Sequence, residues 1–257
     1  MGNTPYCDTS AAVWGILFFV IFLVKIAFFV QVWYTERTDI TEKRIYMENS
    51  NLFSTLPEGF RLGTEEDASL VTLTIAQAFA DYNYPIPSVE ISHSALLRFF
   101  YAYTENVVKN TLKYGTILTN DDFSAIMLLA PLRRMAPYDL EALYGNVEKN
   151  AGKKAAENMR KIFEYVEEEF AMLNLDDRTI YVEEFAVQTP RQGQKLGSKL
   201  MRELFRQCED ENRDVFLYTN TLKNQAIYNH FGFETIRAVH EENLNSDTYF
   251  LLRKANR

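Results

Sequence analysis

Residues 11–34 read AAVWGILFFVIFLVKIAFFVQVWY, a run with one charge, Lys25. As a helix rising about 1.5 Å per residue it spans roughly 36 Å, enough to cross a hydrocarbon core of about 30 Å. Fifteen of its residues are Val, Ile, Leu or Phe. At about -0.3 to -0.6 kcal/mol each they outweigh the roughly +3 kcal/mol of a mid-membrane Lys. Trp14, Trp33 and Tyr34 lie near its ends, where amphipathic rings favour the interface. The run predicts a transmembrane helix. No Lys or Arg precedes it, whereas Arg37, Lys43 and Arg44 follow. The positive-inside rule therefore predicts a single-pass protein with its C-terminal body in the cytoplasm. A signal peptide fits poorly, because the run is long, lacks a basic start and has no small-residue cleavage site after it. A buried soluble helix and a translation start at Met47 are the competing readings. The opening MGNTPYC has Tyr6 where a myristoylation signal needs Ser or Thr.

The run also explains the composition. The chain has 257 residues, 47% apolar, yet its mean hydropathy is -0.22. Lys+Arg 27 against Asp+Glu 35 gives a charge of -8, which argues against a general nucleic-acid binder. Cys7 and Cys208 lie too far apart for a zinc knuckle, and His93, His230 and His240 share no ligand spacing, so no metal site is expected. The predicted organisation is a tail (1–10), the transmembrane helix (11–34), a polar juxtamembrane linker (35–58) and one domain (59–257).

Within that domain GFRLG (59–63) reads as a strand. Thr64 and Asp67 form a capping box for a helix expected to bury Leu70, Leu73, Ala76 and Phe79. Pro85 and Pro87 end it. Residues 94–114 are a helix with Leu96, Phe100, Tyr103, Val107 and Leu112 in period, closed by Gly115. Residues 116–130 are a hairpin turning at Asn120-Asp121, and 138–175 are helical with interruptions at Gly145 and Gly152. Strands follow at 179–187, 215–220, 233–239 and 248–253, with helices at 197–212 and 224–231. This order predicts an α/β (α+β) fold, a mixed central sheet flanked by helices, with a βαβ unit over 179–220.

The chemically informative stretch is FAVQTPRQGQKLGSKLM (185–201). A strand ends at Val187, and a glycine-containing turn opens a helix. Unpartnered N–H groups at a helix start, aided by the helix dipole, suit a phosphate or pyrophosphate. The turn is neither a Walker loop nor a GxGxxG fingerprint. It resembles the acetyl-CoA loop of the GNAT superfamily of N-acyltransferases. NQAIYNHFGFE (224–234), about 27 residues further on, is similar to that family's Asn-x-x-x-Tyr-x-x-x-Gly-Phe segment. Residues 59–82 resemble its opening strand and helix. The long helical insert, YVEEFAV and FLYTN are similar to the branch of puromycin-type acetyltransferases.

The resemblance implies acetyl-CoA as acyl donor, an unidentified amine acceptor and no metal. It assigns Phe185, Ala186 and Val187 to the pantetheine arm through strand backbone. It assigns Gln192, Gly193, Gln194, Lys195, Leu196, Gly197 and Ser198 to the pyrophosphate. Asn224 would contact the cofactor, and Tyr228 would protonate the departing thiolate. Lys195 stands where the family has Gly or Ala, and a helical φ is expected to accommodate it. Tyr218 stands where many relatives place Glu. Glu183 and Glu184 are the substitutes for the base; strand alternation lets only one face the cleft, and Glu183, in parity with Phe185 and Val187, is chosen. A non-catalytic CoA-binding or scaffold module at a membrane is the alternative, and the anchor suggests a membrane or lipid-linked amine as one possible target.

Overall fold

The computed structural model describes residues 52–53, 55–82, 86–132, 139–242 and 245–256. The predicted span at 11–34 lies outside them. Among the described residues no helix is long and apolar enough to cross a membrane.

The strands are β1 (Phe60–Leu62), β2 (Thr116–Asn120), β3 (Ala125–Pro131), β4 (Ile180–Val187), β5 (Val215–Thr219), β6 (Glu234–Glu241) and β7 (Ser246–Arg253). The helices are α1 (Ala68–Tyr82), α2 (His93–Tyr114), α3 (Leu140–Ala151), α4 (Lys153–Ala171), α5 (Leu196–Asp210) and α6 (Leu222–His230). One sheet has the order β1-β2-β3-β4-β5-β7-β6. Its pairs are antiparallel except β4 with β5, which run parallel on either side of α5, as the βαβ reading expects. Leu200, Met201 and Leu204 of α5 pack on one face against Met127, Ile180 and Val182. On the other face Val71 and Ile75 of α1 and Val107 of α2 cover Ile126, Leu128 and Ala186. Val166 of α4 covers Tyr181 and Phe216.

Local chemistry accounts for most boundaries. Asp67 accepts from both the Thr64 N–H and its hydroxyl at 2.9 Å, fixing the short 3-10 turn that leads into α1. The Ser92 side chain accepts from the Ala95 N–H and starts α2. Gly115 ends it: its N–H reaches the Thr111 carbonyl at 2.8 Å. A Cβ on Gly115 would sit 2.2 Å from the Leu129 carbonyl oxygen on β3. Gly115→Ala is expected to destabilise the fold by about 3 kcal/mol, because the obstacle is sheet backbone rather than a side chain that can turn away. A lowered denaturant midpoint measures it.

Three expectations are corrected. Of the four α1 residues expected inside, Ala76 is buried and Phe79 packs partly buried against the core, but Leu70 and Leu73 are exposed and Val71, Ile75 and Ala78 are buried instead. Steps of 70-73-76-79 drift about 60° around a helix at each stride, whereas 71-75-78 alternates four and three and holds one face. Gly145 lies inside α3 without interrupting it; only Gly152, at φ 93°, breaks the helical segment. The compact unit begins at Leu52 rather than at residue 59, with Leu52 and Phe53 buried in the α5-side core. A polar average over 35–58 hid these two side chains. The Thr55 carbonyl also accepts from the Gln207 side chain of α5.

Candidate active site

The site begins with two irregularities of β4. Its parallel pairing with β5 covers only Ile180–Val215 and Tyr181–Phe216, although β4 runs to Val187 and β5 to Thr219. The strands part beyond Tyr181, leaving that edge of Val182–Val187 without a strand partner and opening a cleft. On its other edge β4 pairs Glu184 with Leu128 but Val182 with Leu129. Glu183 is therefore the extra residue of a β-bulge.

The bulge shifts the alternation by one residue. Ile180 and Val182 face the α5 core, and after the bulge so do Phe185 and Val187. Tyr181 and Ala186 face the opposite side. Both glutamates join that side. The Glu183 carboxylate accepts from Thr111 Oγ1 of α2 at 3.1 Å, and Glu184 accepts from the Tyr103 side chain of α2. The expectation that only one could face the cleft, with Glu183 in parity with Phe185 and Val187, is thus overturned, because strict alternation holds only where the ladder is unbroken.

Both carboxylates line a cavity of about 670 Å³ bounded by α1, α2, α4, β4, β5 and α6. Burial raises Glu183 from the ordinary carboxylate range to about 7, opposed by the Thr111 hydrogen bond. Burial and the neighbouring Glu183 charge raise Glu184 as well, opposed by its bond with Tyr103. Thr111 has one hydroxyl proton and two acceptors, the Glu183 carboxylate and the Val107 carbonyl at 3.0 Å. A protonated Glu183 can donate to Thr111 Oγ1 instead, so the arrangement tolerates either charge state.

Asn224 and Tyr228 lie one turn apart on α6, whose N-cap Thr221 accepts from the Asn224 N–H. Both line the cavity. The Tyr228 ring packs edge-on against Phe233 at 5.8 Å. Burial first, then Glu184 and Tyr82, push its phenol well above 10. Tyr218 stacks on Tyr181 at 6.2 Å and is pushed up to about 12, chiefly by burial.

The loop after β4 runs from Gln188 to Lys195. Gln192, Gly193, Gln194 and Lys195 are exposed, and α5 starts at Leu196. Gln192 Nε2 donates to the Val187 carbonyl at 3.2 Å and Gln194 Nε2 to the Pro190 carbonyl at 3.4 Å, bracing the turn. Lys195 has φ 62° and ψ 12°, so the helical φ expected for it is corrected to a left-handed one. The chain reverses there to enter α5, and a non-glycine side chain costs about 1–2 kcal/mol in this region. Gly197 serves packing: a Cβ would lie 2.9 Å from Phe185 Cζ and 3.2 Å from Val187 Cγ2, so α5 approaches β4 closely.

Of the expected site residues, Glu183, Phe185, Asn224 and Tyr228 line the cavity, while Ala186 and Val187 lie further along β4 and residues 192–198 form the turn and the first residues of α5 beyond its end. Sequence reading missed Thr111, Tyr103 and the role of Glu184. Thr111 and Tyr103 sit among the apolar positions of α2, and nothing local marks them as partners of β4. Only the adjacent Glu pair within an apolar strand offered a signal.

Residues 156–235 match the family model described as acetyltransferase (GNAT) domain. Among curated proteins none matches the chain. Among solved structures, the arylalkylamine N-acetyltransferase 2 of Aedes aegypti is similar at 16% identity and TM-score 0.55, covering 77% of this chain and 98% of its own. A protein of Corynebacterium glutamicum described as histone acetyltransferase HPA2 and related acetyltransferase is similar at 13% identity and TM-score 0.53, covering 77% and 96%. The resemblance to GNAT acetyltransferases thus holds in fold, and in sequence over the stretch that carries β4, the loop, α5, β5 and α6. The narrower likeness to puromycin-type enzymes is not carried by these matches.

Proposed function

We propose that the chain is a membrane-tethered N-acetyltransferase that moves an acetyl group from acetyl-CoA to a primary amine by direct attack. The observation that carries this reading is the parting of β4 and β5 into a cleft with two carboxylates and a tyrosine, beside a helix-start loop. The amides of the exposed stretch 192–195 and of the first turn of α5, together with its dipole, suit the pyrophosphate. Open space beside the Gly193 Cα leaves room for it. The unpartnered edge of Phe185, Ala186 and Val187 suits pantetheine amides, and Asn224 flanks it. A strand N–H would polarise the thioester carbonyl. Glu183 would take a proton from the amine, the amine nitrogen would bond to the acyl carbon as the C–S bond breaks, and Tyr228 would give its proton to the thiolate. Residues 11–34 would hold the enzyme at a membrane with this domain on the cytoplasmic side, near membrane or lipid-linked amines.

The rival reading, a CoA-binding scaffold, draws on Tyr218, which stands where many members of the resembled family place Glu. It loses ground because Glu183 and Glu184 supply carboxylates on the cleft face. The full chain in detergent is expected to bind acetyl-CoA and to release thiol when amines are added. Binding without thiol release from any amine would favour the scaffold; neither binding nor release would sink both readings.

A further inference from the structure

We infer that the cavity selects a monoamine with an apolar, ring-bearing body, its ammonium held at Glu183 and Glu184. The reaction performed on that ligand rests on the acetyltransferase reading above; the ligand class rests on the cavity itself.

Charge comes first. Among the described residues lining the cavity the only ionic side chains are Glu183 and Glu184, adjacent at the β4 bulge. Among the described lining residues no Lys or Arg pairs a carboxylate or phosphate on the acceptor, and no acid lies apart from this adjacent pair to meet a second, distant ammonium. An amino acid or a polyamine would therefore set a charge among apolar walls, which costs several kcal/mol at least. A monoamine pairs with one ionised carboxylate while its neighbour, raised by burial and by the adjacent charge, keeps its proton.

The walls supply the rest. Phe79 meets Phe100 edge-to-face at 5.4 Å, and Tyr103 meets Phe163 at 6.2 Å. All four rings line the cavity. Such rings favour a flat apolar guest that continues the edge-to-face pattern. The same rigid helix, α2, sets the spacing. Tyr103, which bonds Glu184, and Phe100 are one turn apart, about 5 Å along the axis. That distance matches a short linker of about two carbons between ammonium and ring. A volume of about 670 Å³ exceeds what the end of a thioester and a small alkylamine would fill. A long acyl chain on the donor is the competing occupant, but it would leave the two carboxylates without a cation.

The test uses the full chain in detergent, with calorimetry for binding and thiol release for turnover. Phenylethylamine is expected to bind, and to show kcat/KM about 10- to 100-fold above ethylamine, the worth of burying one ring. Spermidine is expected to do no better than ethylamine. Phe163→Ala should narrow the phenylethylamine-to-ethylamine ratio by about fivefold or more, and Phe163→Leu should restore part of it. Equal use of ethylamine and phenylethylamine by the unmutated chain, or a preference for spermidine, overturns the inference while leaving the acetyltransferase reading intact. Faster transfer from octanoyl-CoA than from acetyl-CoA, with phenylethylamine excluded, overturns it in favour of an acyl-chain pocket. If acetyl-CoA neither binds nor releases thiol, yet phenylethylamine binds and Phe163→Ala weakens it, the acetyltransferase reading fails and the ligand inference stands.

Discussion

Glu183→Gln is expected to lower kcat for amine acetylation by about 10²- to 10³-fold and to stabilise the fold above neutral pH. Removing a positioned base typically forfeits a factor of this order. A carboxyl can serve as a base only when ionised, and burial raises this one to about 7. The unmutated enzyme should therefore gain activity as pH rises through about 7, and the variant should lose that limb. Stability moves the other way. The folded state holds its proton up to about 7, whereas an ordinary Glu releases it near 4.5. Between these values the folded state binds more protons, so stability falls as pH rises, and the deficit is complete above about 7. Gln carries no charge to desolvate, and its carbonyl can still accept from Thr111. The expected gain is on the order of 2 kcal/mol at pH 8, read as a higher denaturant midpoint. Thr111→Val should shift the rising limb to higher pH, because the bond that favours the ionised form is gone. Full activity in Glu183→Gln with an unchanged pH profile would remove the base role.

Tyr228→Phe is expected to lower kcat by about 10²-fold while acetyl-CoA affinity stays within about threefold. The ring and its packing on Phe233 remain; only the donor hydroxyl is lost. Burial and the nearby Glu184 hold the phenol protonated well above pH 10. The proton is thus in place throughout the working range, and kcat should show no falling limb up to about pH 10. Such a phenol gives up its proton only as thiolate charge develops on sulfur, which ties its contribution to the transition state. Single-turnover thiol release separates this effect from product release. An unchanged rate would leave Tyr228 as a packing residue and move the donor role to water.

Much of the fold was legible because its signals are local. The Thr64–Asp67 box, the α2 periodicity, the Gly115 stop and the β4–loop–α5 transition each depend on residues within a turn or two. The loop at 192–198 was legible for the same reason. Where reading failed, a distant partner decided the outcome. Leu70 and Leu73 are as apolar as Val71 and Ile75, and only contact with α2 and the sheet selected the buried pair. Lys195 looked helical from its neighbours, yet the chain reversal into α5 demands a left-handed turn. Leu52 and Phe53 looked like part of a polar linker until the α5 core received them.

By itself the sequence determined the elements, their order, the turn that opens α5 and the Asn224–Tyr228 helix, because hydrogen bonding and periodicity over a few residues encode them. Only the tertiary structure decided that Glu183 and Glu184 share one face. That outcome depends on a slip in the ladder between β4 and β3, opposite Leu128 and Leu129. Those two residues lie more than fifty positions earlier in the chain. A bulge is a property of two strands in register, so it cannot be read from the alternation of either strand alone.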